Sequence, residues 1–132
     1  MPEINWIAAL LCGVATLLIG GLWYSPLLFA RAWQREAGLS DETLRSGSVP
    51  LRFAIVFVLG TIAGAVFALF VGTAMTLAQA SAAGAAAGIA WVAIAFGINY
   101  LFEHRSLRLW LINGGYHVLQ FTAFGAIIGA LQ

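Results

Sequence analysis

Four long apolar runs, each free of Asp, Glu, Lys and Arg, limit what this chain can fold into. They cover residues 4–30, 53–74, 82–102 and 109–131. A helix needs about 20 mostly apolar residues to cross a hydrocarbon core of about 30 Å. Each run therefore has the length and composition of a membrane-spanning helix. We expect an all-α, polytopic membrane protein in which residues 1–132 form a single domain, a four-helix transmembrane bundle.

The composition excludes a water-soluble domain and a nucleic-acid-binding protein. Only 8% of the 132 residues are charged, whereas soluble domains are about 25% charged. The formal net charge of +1 gives no strongly basic surface for nucleic acid. The single cysteine, Cys12, allows neither an internal disulfide nor a thiol-rich metal site. Because the chain also shows no nucleophile or nucleotide motif, we expect no metal, no cofactor and no enzymatic activity.

The polar connector between the first two spans, residues 31–52, has an amphipathic pattern. Ser25 precedes a proline, which is typical of a helix start, and this predicts an interfacial helix over residues 27–37. Ser40 is followed by two acids, which predicts a second short helix that stops near Pro50. A solvated connector with only nascent helices is the alternative interpretation.

The arginines predict the orientation of the chain. In a four-span protein both connectors that contain them lie on the same side of the membrane, and they hold all six: Arg31, Arg35, Arg45, Arg52, Arg105 and Arg108. Cationic loops are retained in the cytoplasm, so we expect both termini outside it, in a bacterial inner membrane. The length of the first run and the acidic Glu3 before it argue against a cleaved signal peptide.

Small residues recur at helical spacing in the last three spans. In lipid, close backbone approach through such residues is the main packing device, so we expect them to make helix contacts inside the bundle or between protomers. A short link near residues 75–81 predicts a tight hairpin of the second and third spans. The predicted packing residues are Gly60, Gly64, Ala68, Gly72, Gly84, Gly88, Gly125 and Gly129.

A stripe of polar and aromatic residues runs along one face of the fourth span, at successive spacings of 3, 4, 3 and 4: Trp110, Asn113, His117, Gln120 and Phe124. Polar residues within a span usually face the bundle interior or a cavity. The helix rise places Asn113 about 8 Å and His117 about 14 Å into the membrane. Asn99 of the third span reaches a similar depth to Asn113, which predicts a contact between them.

Several of these residues have two open interpretations. His117 is either a neutral, hydrogen-bonded bundle residue or a group that handles a ligand or proton. Glu103 is either part of a site or an interfacial partner of Arg105 or Arg108. Trp23 and Tyr24 lie where an aromatic belt is expected at the cytoplasmic interface.

Two motifs indicate a family. Trp-Tyr-Ser-Pro at residues 23–26 closes the first span, and Asn-Gly-Gly-Tyr-His at residues 113–117 lies inside the fourth. With these motifs the chain resembles, over essentially its whole length, the bacterial membrane family called domain of unknown function 1761. The resemblance implies a small integral membrane protein of about four spans without assigned activity.

The two motifs can meet if the first and fourth spans are neighbours. Tyr24 or Ser25 then approaches Asn113 or Tyr116, with His117 at the floor of a small polar pocket near the cytoplasmic side. The full set of candidate pocket residues is Tyr24, Ser25, Asn99, Glu103, Asn113, Tyr116, His117 and Gln120.

Two functions follow as hypotheses. The first is a structural or accessory bundle that self-associates as a homo-oligomer or joins other membrane subunits. The alternative is a small-molecule or ion permeation or binding protein that uses the polar stripe of the fourth span, with an unknown ligand. A membrane enzyme is the least favoured class, because His117 and Glu103 differ in depth by about 14 Å. The expected partner in every case is the lipid bilayer.

Overall fold

The computed structural model describes residues 3–132, and this part of the chain contains helices and turns but no β-strand. The all-α prediction is confirmed. The helices are α1 (Trp6–Trp23), α2 (Ala30–Ala37), α3 (Asp41–Arg45), α4 (Val49–Val71), α5 (Leu77–Ala87), α6 (Ile94–Phe102) and α7 (Leu107–Ala130). A π-helical segment, Gly88–Ala93, joins α5 to α6 without a break.

Side-chain caps set the starts of the long helices. The Asn5 Oδ1 atom accepts hydrogen bonds from two backbone N–H groups in the first turn of α1, each at 3.1 Å. Thr76 and Ser106 cap α5 and α7 in the same way. These caps stabilise the helices because the first four N–H groups of a helix have no acceptor within it.

Helix α4 begins earlier than the apolar pattern predicts. Ser48 caps it, so the helix starts at Val49 and carries Pro50 in its first turn, where the missing N–H of proline is tolerated. The helix that carries the second apolar run therefore starts four residues before residue 53, where the run itself begins. Arg52 lies in this first turn, and its guanidinium donates to two connector carbonyls at 2.9 and 2.7 Å.

The end of the first helix and the start of the connector helix also differ from the prediction. Helix α1 ends at Trp23 rather than at residue 30, and residues 24–29 form a turn. Ser25 does not cap α2, because its Oγ atom donates at 2.7 Å to a carbonyl in the last turn of α1. Helix α2 starts at Ala30 without a side-chain cap, whereas α3 follows its predicted cap, Ser40.

Helix α7 is central and runs antiparallel to α1. At one end, Asn5 Nδ2 donates to the carbonyl of Leu131 at 3.0 Å; at the other, Trp23 Nε1 donates to the carbonyl of Ile112 at 2.8 Å. Helix α7 also contacts α4, α5 and α6.

Helices α4 and α5 are joined by the short link 72–76, yet α4 packs mainly against α1 and α5 against α7. The short link of the predicted hairpin is therefore present, but its two helices pack mainly on other partners.

Glycine allows α5 and α7 to approach closely. A Cβ atom at Gly125 would overlap the backbone of α5, and one at Gly84 would overlap the backbone of α7. Gly88 and Gly129 lie against the opposite helix in the same interface. These predicted packing residues therefore make their contacts within the chain.

The small residues of α4 divide into two groups. Gly60 and Gly64 lie directly against α1, and Ala68 is partly buried against the core. Gly72 has a φ of 63° and ends the helix, and a Cβ there would meet nothing within 4 Å. The predicted packing role of Gly72 is wrong; it supplies a backbone conformation that glycine adopts at little cost.

Within residues 3–132, three helical stretches are long and apolar enough to cross a membrane: α1, α4 and the continuous stretch Leu77–Phe102. Three of the four predicted spans are thus found by length and composition; helix α7 is long, with 24 residues, but it is not among them. The reason is that Asn113, His117 and Gln120 interrupt its apolar sequence.

Candidate functional site

A hydrogen-bonded cluster joins the end of α1 to the first turns of α7. Tyr24 Oη donates to Asn113 Oδ1 at 2.7 Å, and Asn113 Nδ2 donates to Tyr100 Oη at 2.7 Å. The rings of Tyr24 and Tyr116 also pack together, with centroids 5.4 Å apart. The two sequence motifs therefore meet, and Tyr24 makes the contact predicted for it.

A second cluster lies deeper in the bundle and links α7 to the middle of α1. His117 Nδ1 and Gln120 Oε1 are 2.8 Å apart, and Gln120 Nε2 donates to Thr16 Oγ1 at 3.0 Å. Thr16 Oγ1 donates to the carbonyl of Cys12 at 2.9 Å, and Tyr116 Oη donates to the carbonyl of Thr16 at 3.0 Å. These bonds satisfy polar groups that would be costly to bury alone.

Aromatic rings fix the orientation of the His117 imidazole. The ring stacks on Phe96 of α6, with centroids 5.2 Å and planes 17° apart. The Tyr116 ring packs edge-on against it at 4.8 Å. With Nδ1 held by Gln120, Nε2 is the imidazole nitrogen that has no hydrogen-bond partner in the described part of the chain.

The π-helical segment shapes the wall opposite α7. Gly88 at its start lies against the backbone of Val118, and Ala93 at its end accepts a hydrogen bond from Trp110 Nε1 at 2.7 Å. Short π-helical stretches are rare and occur frequently at functional sites. Here the segment places Val92 in the wall of a cavity.

That cavity has a volume of about 720 Å³ and lies between α1, α4, α7 and the π-helical segment. Trp33 of α2 lies at the end next to the connector, with its ring against that of Tyr24 at 5.1 Å. Phe53 and Leu59 line the cavity although they are 55% and 60% exposed, so the cavity is open along α4. Its polar lining consists of Thr16, Tyr24, Tyr116, His117 and Gln120.

Two residues predicted for this site lie elsewhere. Asn99 is exposed, and the predicted contact with Asn113 is wrong, because the neighbouring Tyr100 makes it. Depth in the membrane leaves the rotation of a helix about its own axis undetermined, and this rotation directs Tyr100 rather than Asn99 toward α7. Glu103 is exposed and forms an ion pair with Arg105 at 3.5 Å, which is the interfacial role left open for it.

Ser25 and Trp23 make structural contacts. Ser25 bonds back to α1 through its side chain, so it contributes no group to the cavity. Trp23 donates to a carbonyl of α7 and its ring packs against that of Phe29 at 4.7 Å. Trp23 therefore anchors α1 to α7.

Sequence reasoning did not select three residues of the site: Thr16, Tyr100 and Trp33. Thr16 carried a usable signal, since it is one of the few polar residues in the first apolar run. Tyr100 and Trp33 have no such signal in the sequence, because aromatic residues near the ends of spans are also typical of lipid interfaces. Only the packing shows that they point inward.

The cavity chemistry suits hydrogen bonding. Its polar groups are hydroxyls, one amide and one imidazole, each able to orient a polar atom of a ligand. Within residues 3–132, no group of three or more His, Cys, Asp or Glu side chains comes close enough to bind a metal ion. His104, the second histidine, is exposed beyond the end of α6.

Residues 7–129 match the family model described as protein of unknown function (DUF1761). The chain belongs to this family. The matched range includes both motifs and reaches from α1 to α7, so the DUF1761 resemblance read from the sequence is confirmed. No curated protein and no solved structure matches the chain.

Proposed function

We propose that this chain is a multi-pass membrane protein that binds a lipid-soluble small molecule in the cavity between α1, α4 and α7. One observation carries the proposal: apolar walls and a hydrogen-bonding floor around His117 occur together in one open cavity of about 720 Å³. Small-molecule pockets are typically about 300–1,000 Å³, mostly apolar, with a few placed polar groups.

The outer surface supports a membrane setting. Large apolar side chains cover the outward faces of the long helices; Leu18 of α1 is 69% exposed and Phe70 of α4 is 66% exposed. A water-soluble protein rarely exposes contiguous apolar surface of this extent. In a bilayer the same apolar side chains contact the hydrocarbon tails of the lipids, where their exposure has no such cost.

We further propose that α7 is the fourth span. Between Leu109 and Gly129, Leu111 and Leu119 are its only exposed residues, so its lipid-facing surface is apolar while its polar groups face inward. Its 24 residues extend about 36 Å, more than the hydrocarbon thickness of about 30 Å.

The arginines support the orientation with both termini outside the cytoplasm. The antiparallel contacts of α1 and α7 bring the two arginine-containing connectors to one end, where Arg108 and Glu36 are 3.8 Å apart. A cationic end is retained in the cytoplasm. We place the protein in a bacterial inner membrane with this end inside.

A ligand from the bilayer fits the position of the opening. The cavity is open along α4, beside Phe53 and Leu59, and this side faces lipid in the proposed arrangement. A lipid-soluble molecule therefore enters sideways without crossing water.

The positions of Gln120 and of the packing glycines favour small-molecule binding over the two other hypotheses, permeation and self-association. A permeation path between protomers needs the stripe of α7 on an outer face, but Gln120 is buried against Thr16. The glycines that suggested self-association pack within the chain. A structural or accessory role stays a prediction, and the mass of the purified protein in mild detergent tests whether it self-associates. We propose no catalytic step.

Tryptophan quenching tests the proposal. The full chain in lipid nanodiscs is titrated with bromoundecanol, whose bromine atom quenches tryptophan fluorescence on contact, and the signal lost in Trp33→Phe is assigned to Trp33 in the cavity. We expect saturable quenching of Trp33. Gly21→Phe should abolish it, because Gly21 lines the cavity and a Cβ there meets nothing within 4 Å.

The matched control is Leu18→Phe, which adds the same ring to the outward face of α1. It should leave the saturable quenching unchanged. A second blocking variant, Ala63→Phe, fills the cavity from α4. If both blocking variants quench like the unmodified chain, or if quenching never saturates, the cavity is not a binding site.

A further inference from the structure

The hydrogen bonds at the cavity floor determine which atom of His117 a ligand meets. Thr16 Oγ1 lies 2.9 Å from the carbonyl oxygen of Cys12. A carbonyl oxygen only accepts, so the single hydroxyl hydrogen of Thr16 is used there. Thr16 Oγ1 must therefore accept its other bond, the one from Gln120 at 3.0 Å.

Because Gln120 donates to Thr16, the orientation of the Gln120 amide is fixed. Its Nε2 atom faces Thr16, so its Oε1 atom faces His117 Nδ1 at 2.8 Å. Because Oε1 is an acceptor, Nδ1 carries the imidazole hydrogen. In the neutral ring Nε2 then presents a lone pair, and a hydrogen bond to this atom has to come from a donor.

The hydroxyl groups beside His117 offer no hydrogen to a ligand. Tyr24 donates to Asn113 and Tyr116 donates to the carbonyl of Thr16. Each oxygen keeps accepting capacity but its hydrogen is committed. The indole N–H of Trp33 has no acceptor among the described residues, but it belongs to α2, at the cavity end beside the connector. The hydroxyl groups and the imidazole of the cavity floor therefore offer a ligand acceptor atoms only.

Resting on the proposed function, we infer that the ligand class is a lipid-soluble molecule with a hydroxyl group, such as a long-chain alcohol, a phenol or a hydroquinone. Its hydroxyl donates to His117 Nε2, and its apolar body lies along the walls formed by α1 and α4. A ligand of the same shape that carries only an ether or ketone oxygen places acceptor against acceptor and leaves the imidazole nitrogen unpaired.

Two matched probes test this inference: bromoundecanol and its methyl ether, which keeps the chain and bromine but lacks the donor. Both are titrated against the full chain in nanodiscs by Trp33 quenching. Because a site built for a polar group discriminates strongly against an analogue that lacks it, we expect the alcohol to bind about tenfold more tightly. In His117→Phe, which retains the ring that stacks on Phe96, this preference should disappear while ether binding remains.

The outcomes separate the two proposals. Saturable binding of both probes with equal affinity, or tighter binding of the ether, would overturn the hydroxyl inference and leave the cavity as a binding site. No saturable binding of either probe would overturn both. The comparison of the two probes on the unmodified chain does not depend on any variant folding. If His117→Phe kept the tenfold preference, His117 would not be the acceptor.

Discussion

Replacing Gly125 by alanine tests whether backbone contact between α5 and α7 stabilises the bundle. The added Cβ would lie 2.6 Å from the carbonyl carbon of Ala80 and 2.9 Å from the Cα atom of Ser81, whereas ordinary contacts are 3.4–4 Å. Both atoms belong to the backbone of α5, so no side-chain rotation relieves the overlap. The two helices must separate locally by about 1 Å.

The cost follows from the contacts that this separation weakens. A pair of carbon atoms at optimal distance contributes about 0.1–0.2 kcal/mol, and a gap of about 0.5–1 Å forfeits a quarter to a half of it. With on the order of 50 affected pairs, Gly125→Ala should lower the free energy of unfolding by about 3 kcal/mol. This value lies at the upper end of the usual range for overpacking, about 1–3 kcal/mol.

Titration with dodecyl sulfate in mixed micelles, monitored by tryptophan fluorescence, measures this change in the free energy of unfolding. Gly21→Ala is the matched control, because it also adds one methyl group to a long helix but meets nothing within 4 Å. Alanine is favoured over glycine in a helix by up to about 1 kcal/mol, so the control should be neutral or slightly stabilised. Equal midpoints for the two variants would refute the packing argument.

Four other substitutions, one of them a control, are measured in the same titration. Tyr24→Phe removes the donor to Asn113 and should cost about 1 kcal/mol; an unchanged midpoint would show that this bond adds no stability. Asn5→Ala removes the cap of α1 and its tie to the end of α7, at a cost of about 1 kcal/mol, whereas Ser40→Ala on the five-residue α3 should leave global unfolding unchanged. His104→Gly relieves a φ of 55° and should stabilise the chain by up to about 1 kcal/mol; a loss of stability would contradict the strain argument.

The features that local sequence determines were the ones that could be predicted. The long apolar runs gave the helical class, and Ser40 with its two acids gave α3. The approach of Tyr24 to Asn113 followed from two simple steps, the antiparallel direction of successive spans and the helix rise. The first two inferences need no knowledge of how the helices pack, whereas the third also assumed that the first and last spans are neighbours, as the contact of Trp23 with α7 shows them to be.

The features that depend on packing could not be predicted. The partner of Gln120 is Thr16, 104 positions away, and no spacing rule connects them. Depth alone pointed to Asn99 as the partner of Asn113, but the rotation of α6 turns the neighbouring Tyr100 toward it instead. Ser25 had the residue type of a cap, but its hydroxyl was taken by a nearer carbonyl of α1.

The polarity of α7 links the fold to the proposed site. Asn113, His117 and Gln120 keep α7 from matching an apolar span, and they also supply much of the hydrogen bonding around the cavity. Asn113 and Gln120 find partners beyond α7, at the end of α1, in α6 and in the middle of α1, so these two amides are satisfied only when the helices have assembled. Because the cavity is lined by α1, α4 and α7 together, it exists only in the assembled bundle. A ligand that binds there must stabilise the assembly by mass action, and a rising unfolding midpoint with probe concentration is the expected sign of that linkage.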